Sequence, residues 1–236
     1  MTGSLFHADN AAYFDLPYLR QSATELVRGL RLLRKARTGD KTAAIALKIG
    51  FWPFVQEFEL AIDQQALPRE PLVRKFGENV MRRVFVRMAR AVREMKSEEG
   101  SHAAHWRKDA ECLGLRDLGN DCVPGVQALI DRAYAKHLPS FFAMLAGTEF
   151  IAEELARFLI ESDDFTRLFS RRRWVWGEVH LAPHEDGPSH LEIDLDLARA
   201  YDNGTSPAAI ERMVLETMSL FRKAADEVDA SLLVAS

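Results

Sequence analysis

Apolar residues recur along most of this chain at spacings of three, four and seven, which is the period of an amphipathic helix. Leu19, Leu26, Leu30 and Leu33 show this pattern first and predict a helix that ends at Arg37. Valine and isoleucine form no convincing alternating run between turn signals, so we expect no sheet. The pattern predicts an all-α, single-domain bundle of about seven to nine helices.

Glycine, proline and capping residues divide the pattern into segments. Pro53 should kink the second helix, because its ring removes a backbone donor. We expect a break near Ser97 or Gly100, and we expect Gly114 to cap the helix that follows. The stretch 171–189 contains two glycines and two prolines and is the only irregular one. The predicted helices cover about residues 19–37, 42–65, 70–95, 100–113, 124–137, 139–161, a few residues from 163, 189–201 and 207–230.

Length and charge narrow the class of protein. The 236 residues carry 31 basic and 35 acidic side chains, a formal net charge of −4. This length fits one domain over residues 1–236, and the charge argues against a nucleic-acid binder that neutralises phosphates. Residues 1–15 resemble no signal peptide and are the one candidate for a flexible N-terminal segment. No uncharged apolar run is long enough to span a membrane.

Cysteine usage bears on location. Cys112 and Cys122 form no CxxC pair, which suits a reducing compartment. We therefore expect a cytoplasmic protein without nucleic-acid or membrane partners, and we leave homodimer formation open.

Three predicted helices carry acidic and imidazole side chains among apolar neighbours. Side chains three or four positions apart share one face of a helix. Pairs of this kind on facing helices build two-iron carboxylate sites, since carboxylate oxygen and imidazole suit iron or manganese. The pairs are Glu99 with His102 (Glu98 being the second choice), Glu149 with Glu153, and His190 with Asp194.

The residues around these pairs resemble a known family, the haem-oxygenase-like superfamily, and within it the di-iron oxidases and oxygenases. Segment 98–115, EEGSHAAHWRKDAECLGL, is similar to the second metal helix of that group. Segment 190–198, HLEIDLDLA, is similar to the last, whose pattern is His, three spacers, Asp, two spacers, His. Residues 52–58 and 148–153 resemble the first and third metal helices, and the similarity covers about residues 45–230.

The resemblance implies a haem-oxygenase-like fold and a set of metal ligands. Two positions depart from the family pattern. Gln56 stands where the first ligand glutamate is expected, which leaves Glu57 as a less favoured candidate. Leu197 stands where the last histidine is expected, which leaves His180 or His184 from the preceding loop. The favoured ligands are Glu99, His102, Glu153 (in preference to Glu149), His190 and Asp194.

The function that the resemblance implies is a non-haem di-iron oxidase or oxygenase. Two Fe(II)/Fe(III) ions, with manganese as the other candidate, would use dioxygen to oxidise a small amino-acid-derived or fatty-acid-like substrate. An external electron donor is the further partner of such a reaction. Phe54 and Phe150 are candidates to line the substrate pocket, because aromatic side chains inside a bundle make its cavity apolar.

Other functions remain open at this point. One is a mononuclear or metal-free member of the same fold, such as a thiaminase-II-like hydrolase. Such a hydrolase would need a nucleophilic cysteine in the pocket, whereas Cys112 lies near a helix end and Cys122 lies in a turn. A haem oxygenase would need a histidine on the first helix, whereas His7 precedes it. A non-catalytic helical partner protein is the last alternative, and it predicts acid–imidazole pairs that face solvent.

Overall fold

The computed structural model describes residues 5, 6, 10, 12–182, 189–204 and 206–234, without the side chains of Glu99 and of residues 232–234. Within these residues the chain forms eleven α-helices and one short 3-10 turn at Ser170–Arg172, and it contains no strand. The predicted all-α fold is therefore confirmed. The helices are α1 (Leu16–Gly29), α2 (Arg31–Arg37), α3 (Lys41–Gln64), α4 (Arg69–Phe76), α5 (Glu78–Cys112), α6 (Pro124–Ala133), α7 (Leu138–Ile160), α8 (Asp163–Thr166), α9 (Val175–Leu181), α10 (His190–Tyr201) and α11 (Pro207–Val234).

In its described part the structure has two α-helices more than the prediction, because Leu30 divides the first apolar stripe and because α9 forms within the stretch expected to be irregular. Leu30 has an extended backbone (φ −70°, ψ 124°) and separates α1 from α2. Leu26 and Leu33, on either side of the break, are both buried. The apolar spacing therefore predicted which residues are buried, although the helix is not continuous. Gly77, with φ of 82°, separates α4 from α5 in a conformation that favours glycine.

The break expected near Ser97 or Gly100 is wrong, because α5 runs unbroken for 35 residues. Gly100 permits a close approach instead: a Cβ atom there would lie 3.1 Å from Oε1 of Glu59 on α3. At the end of α5 the expected cap is present, since Gly114 has φ of 91° and the N–H of Leu115 reaches back to the carbonyl of Ala110.

Helix α7 forms the centre of the bundle and packs against α1, α6, α9, α10 and α11. Its apolar side chains, such as Phe141, Phe142 and Leu155, are almost entirely buried. Helix α10 crosses α7 and begins at a capping box, in which the Ser189 hydroxyl accepts from the Glu192 N–H and the Glu192 carboxylate accepts from the Ser189 N–H. This cap sets the first turn of α10 and so places His190, its first residue, against α7.

The described part of the N-terminal segment packs on the bundle. Leu5 is 6% exposed, and the Phe6 ring stacks on Phe76 with centroids 5.0 Å apart. The Phe6 N–H donates to the buried Asp196 carboxylate at 2.9 Å, and the Asn10 amide donates to the Glu192 carbonyl. These contacts join the segment to α4 and α10.

Over the described residues, none of the helices combines the length and the apolar character that crossing a membrane requires.

Candidate functional site

A pocket opens where α3, α5, α7 and α9 meet; we call it the central pocket. Its walls are mostly apolar and aromatic, and they include imidazole, hydroxyl and carboxylate groups. The cavity has a volume of about 50 Å³, which is room for a few water molecules beside the polar groups. The lining residues are Phe54, Val55, Phe58, His102, Thr148, Glu149, Ala152, Trp176 and His180.

Three rings form a continuous stack along one wall of the central pocket. The centroid of the His180 ring lies 3.8 Å from that of Trp176 and 4.3 Å from that of His102. Nδ1 of His180 lies 2.7 Å from the carbonyl oxygen of Trp176, one turn earlier in α9. Because a carbonyl only accepts, Nδ1 carries a proton, and in the neutral ring the lone pair is on Nε2.

A second set of polar groups joins α5, α7 and α10. Nε2 of His190 lies 2.8 Å from Oε2 of Glu98, and Nδ1 lies 3.8 Å from Oε1 of Glu149. His190 is 8% exposed and Asp194, one turn further along α10, is 1% exposed. Acid and imidazole groups from three helices therefore meet here, with His190 and Asp194 buried and the Glu98 side chain 54% exposed.

Two of the expected ligands are bound elsewhere. Glu153 accepts hydrogen bonds from Arg20 and Arg157, each at 2.8 Å. Burial alone would raise the pKa of Glu153, but hydrogen bonds and charge from the two arginines lower it overall. Glu57 accepts a 2.6 Å hydrogen bond from the Tyr134 hydroxyl. Neither carboxylate lines the central pocket, so neither belongs to this site.

The remaining sequence candidates are divided among several places. His102, His180 and Phe54 line the central pocket, whereas Phe150 is buried beneath Arg20, whose guanidinium carbon lies 5.6 Å from the ring centroid. Leu197 is fully buried in the core, so the position of the missing histidine is an apolar one. The side chain of Glu99 and the whole of His184 lie outside the described residues.

The expected two-metal centre is not assembled by the described side chains. Among these residues, no three His, Cys, Asp or Glu side chains are arranged to hold one metal ion. Glu153 and Glu57 hold arginine and tyrosine partners, and His180 Nδ1 holds a backbone carbonyl. Two members of the expected ligand set, the Glu99 side chain and His184, lie outside the described residues, so the full set stays a prediction.

Sequence reasoning missed Trp176 and Thr148, and it placed no helix within residues 171–189. The signal was the spacing of Trp176 and His180, which is one helical turn, inside a stretch dominated by glycine and proline. Helix α9 has only seven residues and no side-chain cap of its own, so local sequence gives it little support.

Comparison with known proteins is informative at the level of solved structures. No protein-family model matches the chain, and no curated protein matches it. A solved structure that matches is that of a TenA homolog from Pseudomonas syringae pv. tomato, with a TM-score of 0.69 and 18% identity. The match covers 97% of this chain and 98% of that one. At this identity the likeness shows the fold, which is the haem-oxygenase-like helical fold.

The expectation of a di-iron oxidase is wrong on this comparison. The structure that matches from end to end is a TenA homolog, which favours the thiaminase-II-like alternative over the oxidase. The fold that the sequence resemblance implies is confirmed, whereas nothing in the comparison supports the di-iron branch. Iron, manganese, dioxygen, an electron donor and a homodimer stay predictions that neither the fold nor the comparison tests.

Proposed function

We propose that this protein is a small-molecule hydrolase that breaks a C–N bond by acid–base catalysis in the central pocket. The observation that carries the proposal is that His102, His180 and Glu149 all line one aromatic-walled pocket, with the two imidazole rings in contact. Likeness to a TenA homolog supports an enzyme of the thiaminase-II-like class named above.

Water is the nucleophile in this proposal. Cys122 lines a different cavity, between α3 and α6, and Cys112 lies at the last residue of α5. Among the described lining residues of the central pocket there is no cysteine, so a thiol does not reach the substrate there. The cavity holds water-sized volumes beside imidazole and carboxylate groups, which is the environment in which a base activates water.

The stacked imidazoles suit the two proton transfers of a hydrolysis. Two positive rings with centroids 4.3 Å apart would repel each other, so the arrangement disfavours protonating both, and the proposed reaction uses one protonated and one neutral ring. The neutral ring, or Glu149, accepts a proton from water as the oxygen adds to the substrate carbon. The protonated ring then donates its proton to the nitrogen as the C–N bond breaks, giving a hydroxylated (or carbonyl) product and a free amine.

The walls of the pocket indicate the substrate class. Phe54, Phe58 and Trp176 present aromatic surface that favours a flat, weakly polar molecule. The cavity of about 50 Å³ is smaller than such a molecule, so binding must displace lining side chains. We propose a planar heteroaromatic amine, amide or amidine as the substrate.

A release assay tests this function. Purified protein is incubated with a panel of planar amines, amides and amidines, and freed amine or ammonia is measured. We expect turnover by the wild-type protein and a fall of about 10²–10⁴-fold in His102→Ala and Glu149→Gln, the range for a lost acid or base. His137→Gln is the matched control, because His137 is exposed and bonded to Ser140 outside the pocket; it should keep full activity.

Metal content is followed in the same experiment. The proposal is rejected if no member of the panel is hydrolysed, if the pocket variants and the control lose activity equally, or if turnover requires added Fe(II) and dioxygen.

A further inference from the structure

Helix α9 carries Trp176 and His180, two residues of the central pocket, yet it is held in place from another helix. Its N-cap residue, Trp174, makes no capping hydrogen bond with its own side chain. The carboxylate of Asp109, on α5, accepts from the N–H of Val175 at 3.2 Å and from the N–H of Trp176 at 3.1 Å. Asp109 therefore caps the N-terminus of α9 from another helix, in place of an N-cap side chain.

The carboxylate of Asp109 is paired with a cation in the core. Lys48 Nζ, on α3, lies 3.4 Å from Oδ2 of Asp109, and both residues are 1% exposed. The ammonium lies 3.8 Å from the ring centroid of Trp106 and 5.5 Å from that of Trp174. Burying two charges in this way is costly unless both are paired and bonded, so this pair is fixed in position by the partners it needs.

Aromatic contacts continue from the ion pair to the pocket. Trp106 donates its indole N–H to the Lys48 carbonyl at 2.9 Å and packs edge-on against Trp176 at 5.1 Å. The Trp176 ring in turn stacks on His180, and the Trp176 carbonyl accepts the Nδ1–H of His180. The buried pair is therefore connected to the His180 imidazole through Trp176. The Trp176 N–H donates to Asp109, and one helical turn later His180 donates to the Trp176 carbonyl.

We propose that the Lys48–Asp109 pair positions the His180 imidazole, with Asp109 anchoring the start of α9 and Lys48 holding Asp109 in place. Both are positioning residues, since neither lines the central pocket. The role of His180 in catalysis rests on the hydrolase function proposed above, whereas the positioning of its imidazole by Lys48 and Asp109 does not.

The test observes His180 directly by ¹H–¹⁵N NMR of the histidine rings, with the His180 signals assigned by their loss in His180→Gln. In the wild-type protein we expect the Nδ1–H tautomer and ring-proton signals displaced by the Trp176 ring. In Asp109→Asn one of the two backbone hydrogen bonds is lost, because an amide NH₂ group does not accept. We expect the His180 signals to move towards those of the exposed His137.

Asp229→Asn is the matched control. Asp229 is also a buried carboxylate, and it bonds Arg31 and Lys35 where α11 meets α2. Its loss should leave the His180 signals at their wild-type positions. Equal displacement in both variants would show a general loosening of the bundle and would overturn the proposal.

Lys48→Met and the double variant Lys48→Met/Asp109→Asn complete the design. The double variant leaves no lone buried charge, so it carries the test if Asp109→Asn does not fold. We expect Lys48→Met to displace the His180 signals in the same direction, and the two changes together to displace them by less than the sum of the single effects. Unmoved His180 signals in a folded Asp109 variant would refute the proposal. This readout needs no substrate, so it fails or succeeds independently of the release assay.

Discussion

Replacing Gly177 with alanine tests how tightly α9 is seated beside the central pocket. A Cβ atom at this position would lie 2.4 Å from Cε3 and 2.7 Å from Cζ3 of the Trp174 ring. Trp174 is fully buried and packs against Phe165 and Trp176, with ring centroids 5.0 and 5.4 Å away. The ring has no room to withdraw, so α9 must shift outward by about an ångström to restore normal carbon–carbon contact.

The expected cost follows from two opposing effects. Forcing an extra methyl group into a packed interior costs about 1–3 kcal/mol. Alanine in place of glycine within a helix gains up to about 1 kcal/mol. Gly29→Ala isolates the second effect, because Gly29 is in α1 and a Cβ atom there would meet no heavy atom within 4 Å. Gly177→Ala should therefore be less stable than Gly29→Ala by about 1–3 kcal/mol.

Urea unfolding of the two variants and the wild-type protein measures this difference. For a chain of this length, each kcal/mol also lowers the melting temperature by about 2–4 °C. Since the shift moves His180, the Gly177 variant should in addition lose activity in the release assay, whereas Gly29→Ala should not. Stabilities of the two variants that agree within about 0.5 kcal/mol would refute the packing argument.

Two further predictions concern pH. Burial lowers the pKa of Lys48 to about 8 from 10.5, although the charge of Asp109 opposes this effect. The unfolded chain therefore binds this proton more tightly than the folded chain. The contribution of Lys48 to the free energy of unfolding should rise with pH between about 8 and 10, by about 2–3 kcal/mol. In urea titrations Lys48→Met should lack this rise, and parallel stability–pH curves for the two proteins would contradict the prediction. The hydrogen bond to Glu57 raises the pKa of Tyr134 to about 12, with smaller effects of burial and of the Glu57 charge. Glu57→Gln should bring this pKa back towards 10, and tyrosinate absorbance should then appear at lower pH. Tyr201 is the control, because its pKa of about 12 is due to burial and should not change.

Local chemistry allowed much of the helical architecture to be predicted. Ser189 and Glu192 form a capping box that starts α10, and Gly114 caps the end of α5. Each of these caps satisfies backbone groups within a few residues. The interruption at Leu30 was missed for the converse reason. Leucine favours helix, and only packing of the two flanking segments selects its extended backbone.

The candidate site was less predictable than the fold. The sequence placed His102 and His190 on separate helices with acidic partners, and the structure brings both to the interior. The resemblance favoured Glu153 over Glu149, whereas in the structure Glu149 lines the central pocket and Glu153 accepts from Arg20 on α1. The two carboxylates lie on nearly the same face of α7, so the position of a distant arginine decided between them.

The order of apolar and polar residues by itself determined that this chain is helical, where most helices begin and end, and that acidic and imidazole groups occur among apolar neighbours on several helices. Those properties depend on neighbours within about one helical turn. The tertiary structure alone decided that Asp109 caps α9, that the His180 ring packs against His102, and that Arg20 binds Glu153. Each of these is a contact between helices far apart in sequence, and no local pattern encodes which of several equally spaced side chains will find its partner.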